Sequence, residues 1–268
     1  MGALTTLLAP KRERLNTMPH DAQAAALSDS NKTLAQGESM NFAGQVIDRL
    51  KQDILNGFFT PGEKLKMARL KDRYQVGVSP LREALSQLIV EQLVVVENQR
   101  GFKVHPISHE ELEDIYRTRA HIEALCISQA IQLGDDEWEA NIVAADHQLK
   151  KAAHLLEPNK ADEQPDSEQQ RLNIQQWEAK HQAFHAAACM GCGSNHLMQV
   201  RQSLYEKASR YRNLWLKQHM LNNTVFDANQ KEHDKLMAAL LARNEAEAVA
   251  IIKHHLLEPY VLLKDSKF

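Results

Sequence analysis

Apolar positions recur every four residues at Val46, Leu50 and Ile54, with Ile47 and Leu55 beside them, and the run stops at Asn56-Gly57. That spacing predicts an amphipathic helix, closed by a glycine that can take the left-handed conformation helix ends often need. Pro61-Gly62 marks a turn, and Met67, Leu70 and Tyr74 share one face of a short second helix. Ser79-Pro80 reads as a cap and first-turn proline for a third helix, which buries Leu81, Ala84, Leu85 and Leu88. Val94-Val95-Val96 and Phe102-Lys103-Val104 flank the polar run Glu97-Asn98-Gln99-Arg100-Gly101, a β-hairpin pattern.

From about Ile107 the pattern becomes helical throughout, with helices predicted over about 110–133, 136–156, 170–188, 196–220, 227–242 and 245–263. Six helices with short connections predict an antiparallel bundle, interrupted by a polar loop at 158–167. Residues 1–40 are polar and aperiodic and read as a disordered leader, with alternative starts at Met18 or Met40. The expected architecture is mainly α: a leader (1–40), a winged helix-turn-helix (41–105) and an all-helical antiparallel bundle (106–268).

Charge adds one distinction. The net charge is −3, yet residues 41–105 hold ten Lys/Arg against seven Asp/Glu, while 106–268 hold eighteen against twenty-four. A basic module beside an acidic one suits a polyanion partner for the first. The only cysteines, Cys126, Cys189 and Cys192, exclude a disulfide scaffold and suit a reducing cytoplasm. No apolar run approaches the roughly 18 residues that span a bilayer, and the N-terminus lacks a secretory apolar stretch.

In a winged helix-turn-helix the third helix enters the major groove of double-stranded DNA by its N-terminus, while the wing touches the backbone or minor groove. Ser79 and Arg82 would stand at the entering end, Arg69, Lys71 and Arg73 on the preceding helix, and Arg100 and Gly101 on the wing. Arginine suits the task because its fork reads guanine or clamps phosphate.

The bundle's distinctive residues are histidines, four of the chain's 13 falling in a pattern. His181 and His185 are four apart and share a helix face, His233 begins a stripe with Met237 and Leu240, and His255 lies near Ile252 and Leu256. Imidazoles on the apolar faces of several helices build metal or anion sites in bundles. A zinc-peptidase reading of His181-Gln182-Ala183-Phe184-His185 fails because Gln182, an amide, replaces the general-base Glu. Cys189-Met190-Gly191-Cys192 has no second pair and reads as a helix end. Two rivals to a DNA-binding regulator are a metal-dependent enzyme using the histidines, tested by turnover of carboxylic acids, and a DNA-binding protein whose bundle only dimerises, tested by a ligand-induced melting shift.

Pro61-Gly62, Leu65, Leu70, Val76, Pro80-Leu81-Arg82-Glu83-Ala84-Leu85, Leu88, Leu93-Val94 and Arg100-Gly101 resemble the DNA-binding domain of the GntR family. Val78 stands where many members carry arginine. Arg119-Ala120-His121-Ile122-Glu123, Phe184-His185 with Gly193 and Asn195, His233 and His255-Leu256 resemble the FCD effector domain of the FadR subgroup. The resemblance implies a cytoplasmic homodimeric repressor, released from its operator by a small carboxylate such as glutarate. It also implies a divalent metal on His185, His233 and His255, with His181 at the usual Asp position. A fourth neutral imidazole favours borderline metals such as Zn or Ni, and His181 is equally a candidate effector contact. Arg119 is the expected carboxylate clamp, and Arg210 or Arg212 on the fourth bundle helix a second one, with Tyr211 between them.

Overall fold

The computed structural model describes residues 44–97, 101–156, 168–219 and 223–265. The expected leader, the polar loop at 158–167 and wing residue Arg100 lie outside the described residues. From Val46 onward the chain forms one compact unit with two hydrophobic clusters.

The first cluster belongs to the N-terminal head. Helix α1 (44–55) buries Val46, Leu50 and Ile54, and Gly57 follows at φ +73°. Strand β1 (Lys64–Leu65) precedes α2 (Met67–Tyr74) and α3 (Val78–Val90), then β2 (Val94–Val96) and β3 (Phe102–Val104) form the wing. The sheet runs β1-β3-β2, antiparallel, with Val94 opposite Val104 and Lys64 opposite Lys103. The two-residue β1 is too short to carry an alternation, so the pattern predicted a hairpin where three strands stand. Helix α3 also differs from expectation: it begins at Val78 behind Gly77, and Ser79 is no cap. Pro80 keeps its first-turn place, and Ser79 and Arg82 stay exposed on that turn.

Six helices make the bundle: α4 (His109–Leu133), α5 (Asp136–His154), α6 (Glu168–Met190), α7 (Asn195–His219), α8 (Asn223–Leu241) and α9 (Glu245–Leu263). Ser108 and Asp135 cap α4 and α5, accepting from the amides of Glu111 and Trp138. Helix α4 packs on α9 and α7, and α5 on α6, around Tyr116, Trp177, Phe184, Leu240 and Ile252. Helix α6 ends just before Gly191-Cys192-Gly193, with Gly193 at φ +68°. Among the described residues no helix is long and apolar enough to cross a membrane.

Candidate functional site

Three helices of the bundle deliver imidazoles into its interior. Helix α6 brings His181 and His185, α8 His233 and α9 His255, all at most 2% exposed. One nitrogen from each ring lies within 4.8 Å of the others, and the Nε2 atoms of His185 and His181 are 3.2 Å apart. Phe184 and Trp177 wall the cluster, Trp177 stacking on His181 at 4.8 Å. Burial and neighbouring cations hold His181, His233 and His255 well below the ordinary imidazole range. His185 is lowered too, against the pull of Glu123. The cluster is therefore neutral near pH 7, with lone pairs available.

The outer nitrogens sort the rings into three and one. His255 Nδ1 faces Glu232 Oε2 at 3.0 Å, His233 Nδ1 faces Gln230 Oε1 at 3.3 Å, and His185 Nδ1 faces Glu123 Oε2 at 3.5 Å. For His255 and His233 an acceptor at Nδ1 keeps the proton there and leaves Nε2 as the electron-pair donor, whereas His185 Nδ1 stands near Glu123 without a hydrogen bond. The Nε2 atoms of His233 and His255 are buried without a hydrogen-bond partner, as a metal-accepting set requires. His181 differs: its Nδ1 accepts from Arg212 at 3.4 Å, with Glu178 Oε2 at 3.8 Å. A guanidinium only donates, so the His181 proton sits on Nε2.

Cationic groups border the cluster. Arg119 Nε donates to Glu123 Oε1 at 2.8 Å, and Arg201 Nε lies 3.6 Å from the same oxygen. Burial pushes the Glu123 carboxyl up, but Arg201 and Arg119 together hold it well below the usual range. One carboxylate facing two guanidiniums leaves a net positive charge, and Arg201, 1% exposed, keeps Nε and Nη2 without a hydrogen-bond partner. Sequence reading missed Arg201, Glu178 and Glu232; no local motif marks them. Tyr211, expected among the effector contacts, instead bonds its hydroxyl to Ser108 and Glu111 at the start of α4.

On the head, the expected DNA-facing residues separate. Arg82 and Ser79 are exposed at the start of α3, and Lys71 is exposed on α2. Arg73 is bound internally, its Nε and Nη2 meeting Asp53 at 2.6 and 2.7 Å, and Arg69 pairs with Glu63 and lies over Phe59. These two arginines bind α2 to α1 and to the turn before β1, whereas Arg82 is exposed near the start of α3. Gly101, at φ +137°, closes the wing tip.

Comparison with known proteins places this geometry. Residues 42–104 match the bacterial regulatory proteins of the gntR family, and residues 114–258 match the FCD domain. The chain is 43% identical over 217 residues to the HTH-type transcriptional repressor GlaR of Escherichia coli strain K12, covering 81% of this chain and 93% of that protein. It is 33% identical to the HTH-type transcriptional regulator BphR of Paraburkholderia xenovorans strain LB400, over 78% of this chain and 79% of that one. In fold it resembles E. coli McbR/YncC, with a TM-score of 0.67 at 17% identity over 83% of this chain and 96% of that one. A GntR regulator from Rhodococcus sp. RHA1 gives a TM-score of 0.65 at 19% identity, over 84% and 99% of the two chains.

Proposed function

The chain belongs to the gntR family of bacterial regulatory proteins, of the type that carries an FCD domain, and from that premise we propose that it is a homodimeric repressor whose bundle senses a short dicarboxylate. Membership makes it a DNA-binding transcriptional regulator and sets aside the metal-dependent enzyme. In the proposal, α3 of each protomer enters the major groove of one half-site, with Ser79 and Arg82 leading and Arg100-Gly101 of the wing alongside.

The observation that carries the proposal is the buried ring of four imidazoles set between Arg119, Arg201 and Arg212. A divalent ion such as zinc or nickel would be held by His185, His233 and His255, whose outer nitrogens already face acceptors. Such an ion supplies positive charge to a carboxylate oxygen. His181 is the fourth candidate ligand. A dicarboxylate enters a dry interior only if both charges are met, one by Arg119 or Arg201 and the other near Arg212.

Release from DNA requires the ligand to prefer the arrangement whose two α3 helices are wrongly spaced for the operator. Moving from mostly bound to mostly free takes roughly 5 kcal/mol of differential affinity, within reach of two charge-assisted anchors per protomer. The test is operator binding with and without glutarate, in wild type and Arg119→Ala. Glutarate should weaken wild-type binding, and Arg119→Ala should keep DNA affinity and lose the response. Release of Arg119→Ala at the same glutarate concentration would place the effector elsewhere.

A further inference from the structure

A cavity of about 270 Å³ opens between the head and the bundle, lined by Leu55 and Asn56 of α1, Ile174 and Glu178 of α6, and Tyr205 and Arg212 of α7. It is at the small end of the range of ligand pockets, roughly 300 to 1,000 Å³, which suits a short ligand. On this cavity's wall Arg212 Nε donates to Glu178 Oε2 at 3.2 Å, and Tyr205 Oη reaches Glu178 Oε1 at 3.4 Å. Behind the pair stands His181, its Nδ1 within 3.4 Å of Arg212 and 3.8 Å of Glu178. A single carboxylate thus meets a guanidinium and a phenol, the donors an incoming carboxylate would seek, while the unprotonated Nδ1 of His181 turns its lone pair to Arg212.

The hold is loose. Arg212 meets Glu178 through one nitrogen rather than a two-pronged fork, and the Glu178 side chain is 16% exposed, so it has solvent to turn into. The other acid lining the cavity, Glu206, is bound to Lys51 at 2.8 Å and to Gln202 at 2.9 Å. Among the described residues that line the cavity, Glu178 is the acid paired with Arg212, the cation beside the imidazoles.

We infer that Glu178 is a specificity-determining residue, an internal stand-in for a ligand carboxylate that holds Arg212 until a carboxylate entering from this cavity displaces it. This rests on the carboxylate-sensing reading above. The exchange breaks no covalent bond and moves no proton: one carboxylate leaves the guanidinium as another arrives. It also sets a threshold. A monocarboxylate replaces Glu178 with no net gain in ion pairing, whereas a dicarboxylate adds a second anchor at Arg119, whose guanidinium lies 5.4 Å from the ring of the cavity-lining Tyr205. Glu178 thereby weakens every incoming carboxylate alike, and sets a threshold that a two-headed acid clears and a one-headed acid does not.

Calorimetric titration of the full-length chain, as purified, with glutarate and with butyrate tests this. With the internal competitor neutralised, Glu178→Gln should bind both acids about tenfold more tightly, and butyrate should now bind measurably. Affinities unchanged or weakened, in a variant that melts like wild type, would overturn the inference while leaving wild-type glutarate binding, and so the sensing role, intact. Binding of neither acid by either protein would overturn the sensing role and this inference with it. A crystal structure of wild type with glutarate gives a second reading that does not depend on the variant's folding. A ligand carboxylate on Arg212 with Glu178 turned away is expected, and an intact Arg212–Glu178 pair beside bound glutarate would refute the exchange.

Discussion

Arg210 and Arg212 stand two residues apart on α7 and send their guanidinium groups to different parts of the molecule. Two steps along an α-helix turn the side chain by about 200°. Arg210 reaches the segment joining wing to bundle, donating to Pro106 O at 2.7 Å, His105 O at 3.1 Å, His105 Nδ1 at 2.7 Å and Glu111 Oε1 at 2.7 Å. Arg212 reaches Glu178 and His181. One residue further, Asn213 donates to Leu55 O at 2.7 Å, satisfying a carbonyl at the end of α1, where Gly57 leaves room for it. Helix α7 thus holds both the head and the imidazole site, and a shift at Arg212 is carried on the same rigid element that grips the head.

Removing the Arg210 guanidinium leaves the Glu111 carboxylate and two carbonyls without their donor. Arg210 is 1% exposed but Glu111 is about a quarter exposed, so solvent softens the loss. Arg210→Ala should destabilise the protein by about 2–4 kcal/mol, read as a lowered urea midpoint. Arg210→Lys should recover only part of this, because an ammonium cannot span the fork.

Arg82 should be the arginine of the head that matters most for the operator. Arg82→Ala should lose about 1–3 kcal/mol of operator affinity if it reads a base. A phosphate contact would instead weaken all sequences about equally and reduce the salt slope by about one unit. Undiminished operator binding would contradict the docking of α3.

Asp53 should matter for the head's acid stability. Burial raises its pKa, but Arg73 and Tyr74 outweigh this and hold it below the ordinary 3.8. The unfolded chain therefore binds the proton more readily than the folded one. The stabilisation is fully present above about pH 4 and is lost as pH falls through the lowered folded value. Asp53→Asn should destabilise the protein by about 1–2 kcal/mol at pH 7 and flatten this part of the acid-unfolding profile.

Elemental analysis of the purified protein should find close to one zinc or nickel per chain, with a chelator lowering the melting temperature. His233→Ala and His255→Ala should each abolish retention of the ion. Glu232, which faces Nδ1 of His255 at 3.0 Å, orients that ring, so Glu232→Gln should weaken metal binding by about 10- to 100-fold. Wild type that melts identically with and without zinc would make the four rings core histidines.

Helix positions were legible from the chain because burial repeats with the helix period: Val46, Leu50 and Ile54 in the head are at most 2% exposed, and His181 and His185 share a buried face as their spacing requires. The order of turn, first-turn proline and hairpin likewise carried the winged helix-turn-helix, since turn chemistry is local. What the chain by itself could not state is which distant charge each charged side chain meets. Arg69, Arg73 and Arg82 look alike along the sequence, yet only tertiary packing brings Asp53 within 2.6 Å of Arg73 across 20 residues and leaves Arg82 exposed. In the same way Glu178 meets Arg212 across 34 residues, and Arg210 meets Glu111 across 99. An ion pair between distant segments, unlike the i,i+4 pair of Arg119 and Glu123, has no period. It depends on two side chains from different elements ending within a few ångströms of each other, and that distance exists only once the elements have packed.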